Sequence, residues 1–374
     1  LIQHQSIYLS IVHLVIMAVR IAACHASPIF LSASKTTSKA VSLIHAAARN
    51  KAQVVVFPET FIPAFPIWSA LRPPTENHEL FKRLVAESVF ADGDEIAAIR
   101  AAARETNTIV SIGISEKSRF STATLYNSNL LIDTNGTVLN HHRKLMPTFF
   151  EKLIWAAGDG HGLRVSETAH GNIGNLICGE NTNPLARYTL MAQAEQIHIS
   201  TWPAIWPTRA PTDSGGANYD NVAANRTRAA AHCFEAKCFG VLCAGFLDPD
   251  TDSAAVKMIT EGASAPQAVK HALQNSSRGA SMFLDPTGAA HPAFVFSDDG
   301  KKEEIEFLQD EEGIIYADFE LDRCVEGKQY HDVVGGYQRL DVFQLQVNRK
   351  RADPVVFKGE ALTTEGNELQ GSEE

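Results

Sequence analysis

The chain has 374 residues, with 33 Lys+Arg against 43 Asp+Glu and a formal net charge of -10. Its hydrophobic content of 45% and charged content of 20% are those of a globular protein with a substantial core. The acidic balance, without any dense Lys/Arg stripe, argues against nucleic acid and anionic membrane as partners.

The chain opens on Leu1, and "SIYLSIVHLVIM" (6–17) is an apolar run of signal-core length with no basic residue before it. Residues 1–16 therefore read as a non-native or upstream extension, with secretion as the lesser alternative. Glycosylation-type triplets at Asn135, Asn225 and Asn275 arise often by chance and leave that balance unchanged. From Met17 onward the chain alternates short β-type runs with longer helical patterns. "VRIAACHA" and "QVVVFPE" read as strands, and "SKAVSLIHAAARNKA" between them as a helix. "DEIAAIRAAARETN" is a second helix, opened by acidic residues that suit its N-terminus. "TIVSIGISE", "TLYNSNLLIDTNG" and "TVLNHHRK" follow as strands, the last two joined at a "TNG" turn.

Further strands are expected at "NIGNLIC", "QIHIST", "FGVLCAGF", "ASMFLDPTG" and "GIIYADFE". Helices are expected at Pro184 to Gln193, Tyr219 to Ala236 and Gln267 to Gln274. Hairpins mixed with crossover helices indicate an α/β protein with mixed sheets. Residues 17–357 contain no internal linker or repeat and read as one domain. The stretches 207–216 and 248–267 read as surface insertions, and the acidic 358–374 tail as disordered.

The six cysteines (Cys24, Cys178, Cys233, Cys238, Cys243, Cys324) are too scattered for a disulfide framework, which favours reduced thiols and a cytoplasmic setting. Cys233, Cys238 and Cys243 recur every five residues, a spacing that suits buried small hydrophobes better than zinc.

Candidate chemistry collects where strands are expected to stop. Glu59 closes "QVVVFPE", and a carboxylate half desolvated there is suited to general-base work; it is equally the first solvated residue after a strand. Lys144 follows "TVLNHHR". Beside a reacting centre its charge would stabilise a developing anion, although most lysines are solvated surface charges. Glu151, seven residues on, either holds that lysine or is one more surface acid. Cys178 ends "NIGNLI" ahead of "NPLARYTLMAQ". A helix N-terminus there would favour the thiolate, and a buried core thiol is the competing reading.

Taken together, "FPETFIPAFPIW", "HRKLMPTFFEKLIWAAGDG", "CGENTNPLAR" and "ASMFLDPTG", in that order, resemble the nitrilase branch of the carbon–nitrogen hydrolase superfamily. The resemblance runs from about Val19 to Val355. It implies a four-layer αββα sandwich that pairs through its helix layer into a homodimer, extending to a higher or spiral homo-oligomer. It implies Cys178 as nucleophile, Glu59 as general base, Lys144 as stabilising cation and Glu151 as their support, acting on a small-molecule nitrile with no metal or organic cofactor. Two departures stand out. Gly179 occupies a place where many members carry Trp, which enlarges the space there and leaves the Gly179 amide free as a donor to the reacting group. "GGYQRLDVF" puts Gly336 and Leu340 where His and Pro are usual, a change expected to touch assembly before chemistry.

Among the four tryptophans, Trp155 and Trp202 are the stronger candidates for substrate contact, Trp68 and Trp206 the weaker. An apolar, partly aromatic pocket would favour arylaliphatic or aliphatic nitriles. The rival activities are an amidase of the same superfamily and a catalytically silent scaffold or filament former. The filled catalytic positions weigh against the second.

Overall fold

A computed structural model describes residues 18–209, 215, 218, 220–248, 250, 253–297, 299–351 and 354–355. The expectations for residues 1–16 and 358–374, and most of that for 207–216, lie outside the described residues.

One sheet contains β1 (Val19–His25), β2 (Val54–Val56), β3 (Ile109–Lys117), β4 (Leu125–Ile132), β5 (Val138–Arg143), β11 (Ala293–Phe296), β12 (Lys302–Ile305) and β14 (Gly313–Phe319). Its order is β12-β11-β14-β1-β2-β3-β4-β5, with β1, β2 and β3 parallel and the remaining pairs antiparallel. The other sheet contains β6 (Ser166–Thr168), β7 (Gly171–Ile177), β8 (Ile197–Trp202), β9 (Phe239–Ala244), β10 (Ser281–Leu284) and β13 (Phe307–Leu308). It runs β13-β10-β9-β8-β7-β6, with β7, β8 and β9 parallel. Both sheets are mixed, as expected. The helices are α1 (Ala33–Arg49), α2 (Trp68–Leu71), α3 (His78–Glu87), α4 (Asp94–Thr106), α5 (Pro184–Met191), α6 (Asn221–Ala236), α7 (Ala254–Thr260), α8 (Pro266–Asn275) and α9 (Arg323–Glu326).

The strand period sorts the residues into layers. In β1, Val19, Ile21 and Ala23 face the other sheet and meet Ile197, Ile199, Val241 and Phe283. Ala22 and Cys24 face the opposite way, onto Ala40, Ile44, Ile96 and Ile99 of α1 and α4. On the far side, Leu242, Met282 and Leu284 pack against Ala229, Cys233 and Ala236 of α6, while Leu176 packs against Ala186 and Leu190 of α5. The sequence of layers is helix, sheet, sheet, helix, the αββα sandwich. A strand buried on both faces reads as a continuous apolar run, which is why β1 and β2 are legible in the sequence.

One expectation is corrected. The stretch 248–267 is not wholly a surface insertion, because it contains α7, whose Val256 and Ile259 are buried. They join Val269 and Leu273 of α8 against Trp68, Leu71, Leu80 and Leu84. After α9 the chain runs to Arg351 almost without regular structure, with Tyr337, Leu340, Val342 and Phe343 exposed. Arg351 returns it to the body, donating to Asp159 Oδ2 at 3.1 Å and to the His141 carbonyl at 3.1 Å.

Between the sheets Phe319 stacks on Phe239 at 4.4 Å and meets Phe283 edge-on. Phe319→Ala should therefore cost about 3–5 kcal/mol of stability, read as a lower denaturant midpoint at unchanged slope.

Candidate active site

Three strands from the two sheets end at one place. β2 leads through Phe57 and Pro58 to Glu59, β5 stops one residue before Lys144, and β7 stops one residue before Cys178. Open α/β sheets gather their ligands at the carboxyl ends of parallel strands, and β2 and β7 both end here. Glu59 is set deep because Gly113 of β3 lies behind it. A Cβ at Gly113 would stand 2.4 Å from the Pro58 carbonyl and 2.5 Å from the Thr60 nitrogen.

The Lys144 ammonium sits between two carboxylates, 2.7 Å from Glu59 Oε1 and 2.7 and 2.9 Å from the two oxygens of Glu151. All three side chains are fully enclosed. Asn127 Nδ2 also donates to Glu59 Oε1 at 2.7 Å, and Thr60 holds Asn127 from behind. Glu151 is fixed by a capping box with Thr148. Glu59 Oε2 is buried and has no hydrogen-bond partner. A carboxylate oxygen from each glutamate and the Cys178 sulfur lie within 4.8 Å of one another. A cation could be held by such a set, but the lysine ammonium already lies between the two carboxylates.

The electrostatics follow from burial. Desolvation alone would discharge Lys144; Cys178, Glu151 and Glu59 around it outweigh that and raise its pKa well above the usual value. Burial lifts the Glu151 carboxyl to about 7, with Lys144 opposing and Glu59 adding to the rise. Burial also pushes the Cys178 thiol well up, Glu59 pushes it further, and Lys144 pulls it down. The expectation of a helix-stabilised thiolate is corrected on two counts. A 3-10 turn, Cys178–Thr182, intervenes, and the N-terminus of α5 is capped by the Asn183 side chain. Cys178 itself takes a left-handed backbone, φ 52°, on the strand-to-turn corner. That conformation is costly for a residue with a side chain and recurs where a nucleophile sits on a strand-ending corner.

Two buried polar systems hold this corner, and neither was singled out from the sequence. Glu180 accepts from the backbone N–H of Ile177 and of Leu145, and from His142 Nε2 at 2.9 Å. It thus joins the cysteine turn to the lysine loop. Asn181 donates to the Cys178 carbonyl at 3.0 Å and accepts from His198 Nε2 at 2.8 Å. Behind it, Glu195 takes His198 Nδ1 on one oxygen at 2.8 Å and His232 Nε2 on the other at 2.6 Å. Glu180 and Asn181 lie inside "CGENTN", so their nearness in sequence was visible, while the partners on β5, β8 and α6 were not.

Two cavities adjoin the site. One, of about 340 Å³, is lined by Thr148, Cys178, Gly179, Trp202, Trp206 and polar residues of α6. The second, of about 490 Å³, is largely apolar and lined by Glu59, Phe61, Phe65 and Phe246 among others; Pro203 borders both. Trp202 is therefore at the cleft, as is Trp206, the weaker candidate. Trp155 is not among the residues lining either cavity: its indole donates to Ser115 Oγ at 3.1 Å and its ring packs edge-on against Phe65. Gly179 does line the cleft, but the space beside it is not vacant. Thr148 Oγ1 stands 2.7 Å from where a Cβ would be.

The carbon-nitrogen hydrolase family matches residues 20–329. The chain is 32% identical over 348 residues to a nitrilase of Penicillium rubens, covering 91% of this chain and 97% of that protein. It is 30% identical over 357 residues to an arylacetonitrilase of Hypocrea virens, covering 94% and 98%. Its fold matches the crystal structure of a carbon-nitrogen hydrolase from Helicobacter pylori G27 with a TM-score of 0.63 at 17% identity, over 87% of this chain and 97% of that one.

The network behind Cys178 makes a pH prediction. Burial, with His198 beside it, lowers the His232 pKa to about 4 against the opposing effect of Glu195. The unfolded chain protonates this histidine below about 6.5 while the folded one resists, so its contribution is complete above that pH and is lost as pH falls toward 4. His232→Gln should flatten the decline of unfolding free energy across that window, measured by urea titration at a series of pH values.

Proposed function

This chain belongs to the carbon–nitrogen hydrolase family, in its nitrilase branch, and we propose that it hydrolyses an arylaliphatic or aliphatic nitrile to the carboxylic acid and ammonia. The observation that carries the reading is the buried ammonium shared by two carboxylates beside a thiol, with one carboxylate oxygen left without a partner.

Glu59 Oε2 takes the Cys178 proton as the sulfur attacks the nitrile carbon, and returns it to the nitrogen, giving a covalent thioimidate. The high thiol pKa in the resting site suits this order, because the thiolate forms only as it is consumed. Lys144 stabilises the charge that builds on nitrogen, with the Gly179 amide as a second donor. Glu151 keeps Lys144 in place. Glu59 then activates a water that adds to the thioimidate carbon; ammonia leaves and a thioester remains. A second water releases the acid and restores the thiol. The scheme calls on no metal or organic cofactor.

Residues 17–357 act as one domain in this reading. Exposed Leu185 and Phe234 on α5 and α6 support pairing through the outer helix layer, as a homodimer that extends to a higher oligomer. Six free, buried cysteines support a cytoplasmic setting. Among the described residues no helix is long and apolar enough to cross a membrane.

Incubation with phenylacetonitrile and a short aliphatic dinitrile, following acid, amide and ammonia together, tests the assignment. Acid and ammonia should form, and Cys178→Ala should release neither. Glu59→Gln should lower kcat by about 10²–10⁴-fold. Hydrolysis of phenylacetamide with both nitriles untouched would make the enzyme an amidase.

A further inference from the structure

Lys144 carries the charge on which the chemistry depends, yet it follows the strand of its sheet with the least support. β5 ends the strand order and pairs with β4 alone among the described residues. An edge strand leaves main-chain groups for something else to satisfy. Here the far end of the chain supplies part of the cover. Val347, Arg349 and Arg351 are half-buried and alternate with exposed Asn348 and Lys350, the period of an extended segment laid along a surface.

This segment is fastened at both ends. Arg351 Nη2 donates to the His141 carbonyl at 3.1 Å and Nη1 to His141 Nδ1 at 3.0 Å, while Nε donates to Asp159 Oδ2 at 3.1 Å. The Asn348 carbonyl lies directly on Gly160, where a Cβ would find no room. Val347 packs on the cluster of Leu163, Leu176, Ala186 and Leu190, as does Leu145, the residue after Lys144.

Two short routes lead from Arg351 to the lysine. In the first, Gly158, next to Asp159, donates its N–H to the Lys144 carbonyl at 2.8 Å. The fit is close, since a Cβ at Gly158 would strike the carbonyls of Arg143 and Lys144. The second runs through His141. A guanidinium only donates, so the Nδ1 that it meets is an acceptor and the ring proton stands on Nε2. That N–H goes to Glu116 Oε2 at 2.8 Å, and the same oxygen takes Arg143 Nε at 3.0 Å, one residue before Lys144. Arg351 itself lines neither cavity beside the site.

We propose that Arg351 is a positioning residue for hydrolysis: it clamps the 347–351 segment over the open edge of β5 and so keeps the Lys144 ammonium in register with Glu59 and Cys178. The proposal takes the role of Lys144 from the nitrilase reading of the same site. A displacement of about 1 Å at a reacting group can cost about 10²-fold in rate, so a small loosening of this edge is enough to be seen.

The test pairs turnover of phenylacetonitrile with a reaction that needs no substrate, alkylation of Cys178 by iodoacetamide, followed by peptide mass spectrometry. Lys144 favours the Cys178 thiolate, so a loosened Lys144 slows the alkylation. Arg351→Gln should lower kcat about tenfold with KM within about twofold, and slow alkylation about threefold or more. Arg351→Lys, which keeps the charge but not the fork, should recover part of both. Phe319→Leu, which loosens the packing between the sheets, should lower the denaturant midpoint and leave both rates unchanged. An Arg351 with a merely structural role would behave in the same way: unchanged kcat or unchanged alkylation in Arg351→Gln would overturn the proposal. Slower alkylation in Arg351→Gln, in a protein whose parent hydrolyses no nitrile, would sustain the clamp and remove the nitrilase reading instead.

Discussion

The centre of this protein is a fully buried ammonium ion held between two carboxylates. Removing three charges from solvent costs several kcal/mol for each ion, and their mutual attraction offsets this only when the geometry is held tightly. That requirement reaches outward. Glu59 needs Asn127, and Asn127 needs Thr60. Glu151 needs the capping box at Thr148. Gly113 must stay small so that the Glu59 loop can lie flat on β3. Because Lys144 follows β5 while Glu59 follows β2, the arrangement also depends on the strand order of the first sheet.

The second sheet is brought to the same point by different means. Glu180 fastens its cysteine turn to the lysine loop, and Asn181 with His198, Glu195 and His232 supports the turn from beneath. Burial alone would raise Glu195, but His232 and His198 bring its pKa down to about 2. Glu180 and Asn181 bond to the backbone of the turn itself and so determine where the sulfur stands. Both oxygens of Glu195 and both ring nitrogens of His198 are bonded, and these directional bonds hold the corner in a way that an apolar filling would not.

How much of this was legible in sequence depends on how local the signal is. β1, β2 and β7 announced themselves as apolar runs, and α1 and α4 by their spacing, because each element's burial is written along its own length. Cys178, Glu59 and Lys144 were visible as polar residues at the ends of such runs. α7 was not, since its seven residues bury only Val256, Ile259 and Thr260 and match a loop in composition. The thiol's environment was misjudged for a related reason: a helix dipole can be inferred from neighbouring residues, but the 3-10 turn that separates it from Cys178 cannot. Trp155 illustrates the same limit. Its position beside Glu151 in the chain suggested the pocket, whereas the fold turns its ring toward Phe65 and the core.

The contact between Gly179 and Thr148 has a consequence for descent. The residue after the nucleophile and the residue that caps the lysine loop occupy one volume, since a Cβ at 179 would meet Thr148 Oγ1 at 2.7 Å. A side chain at 179 would require the Thr148 hydroxyl to turn away or that residue to become smaller. The two positions, thirty-one apart in sequence, therefore share one packing constraint on how this chain can change.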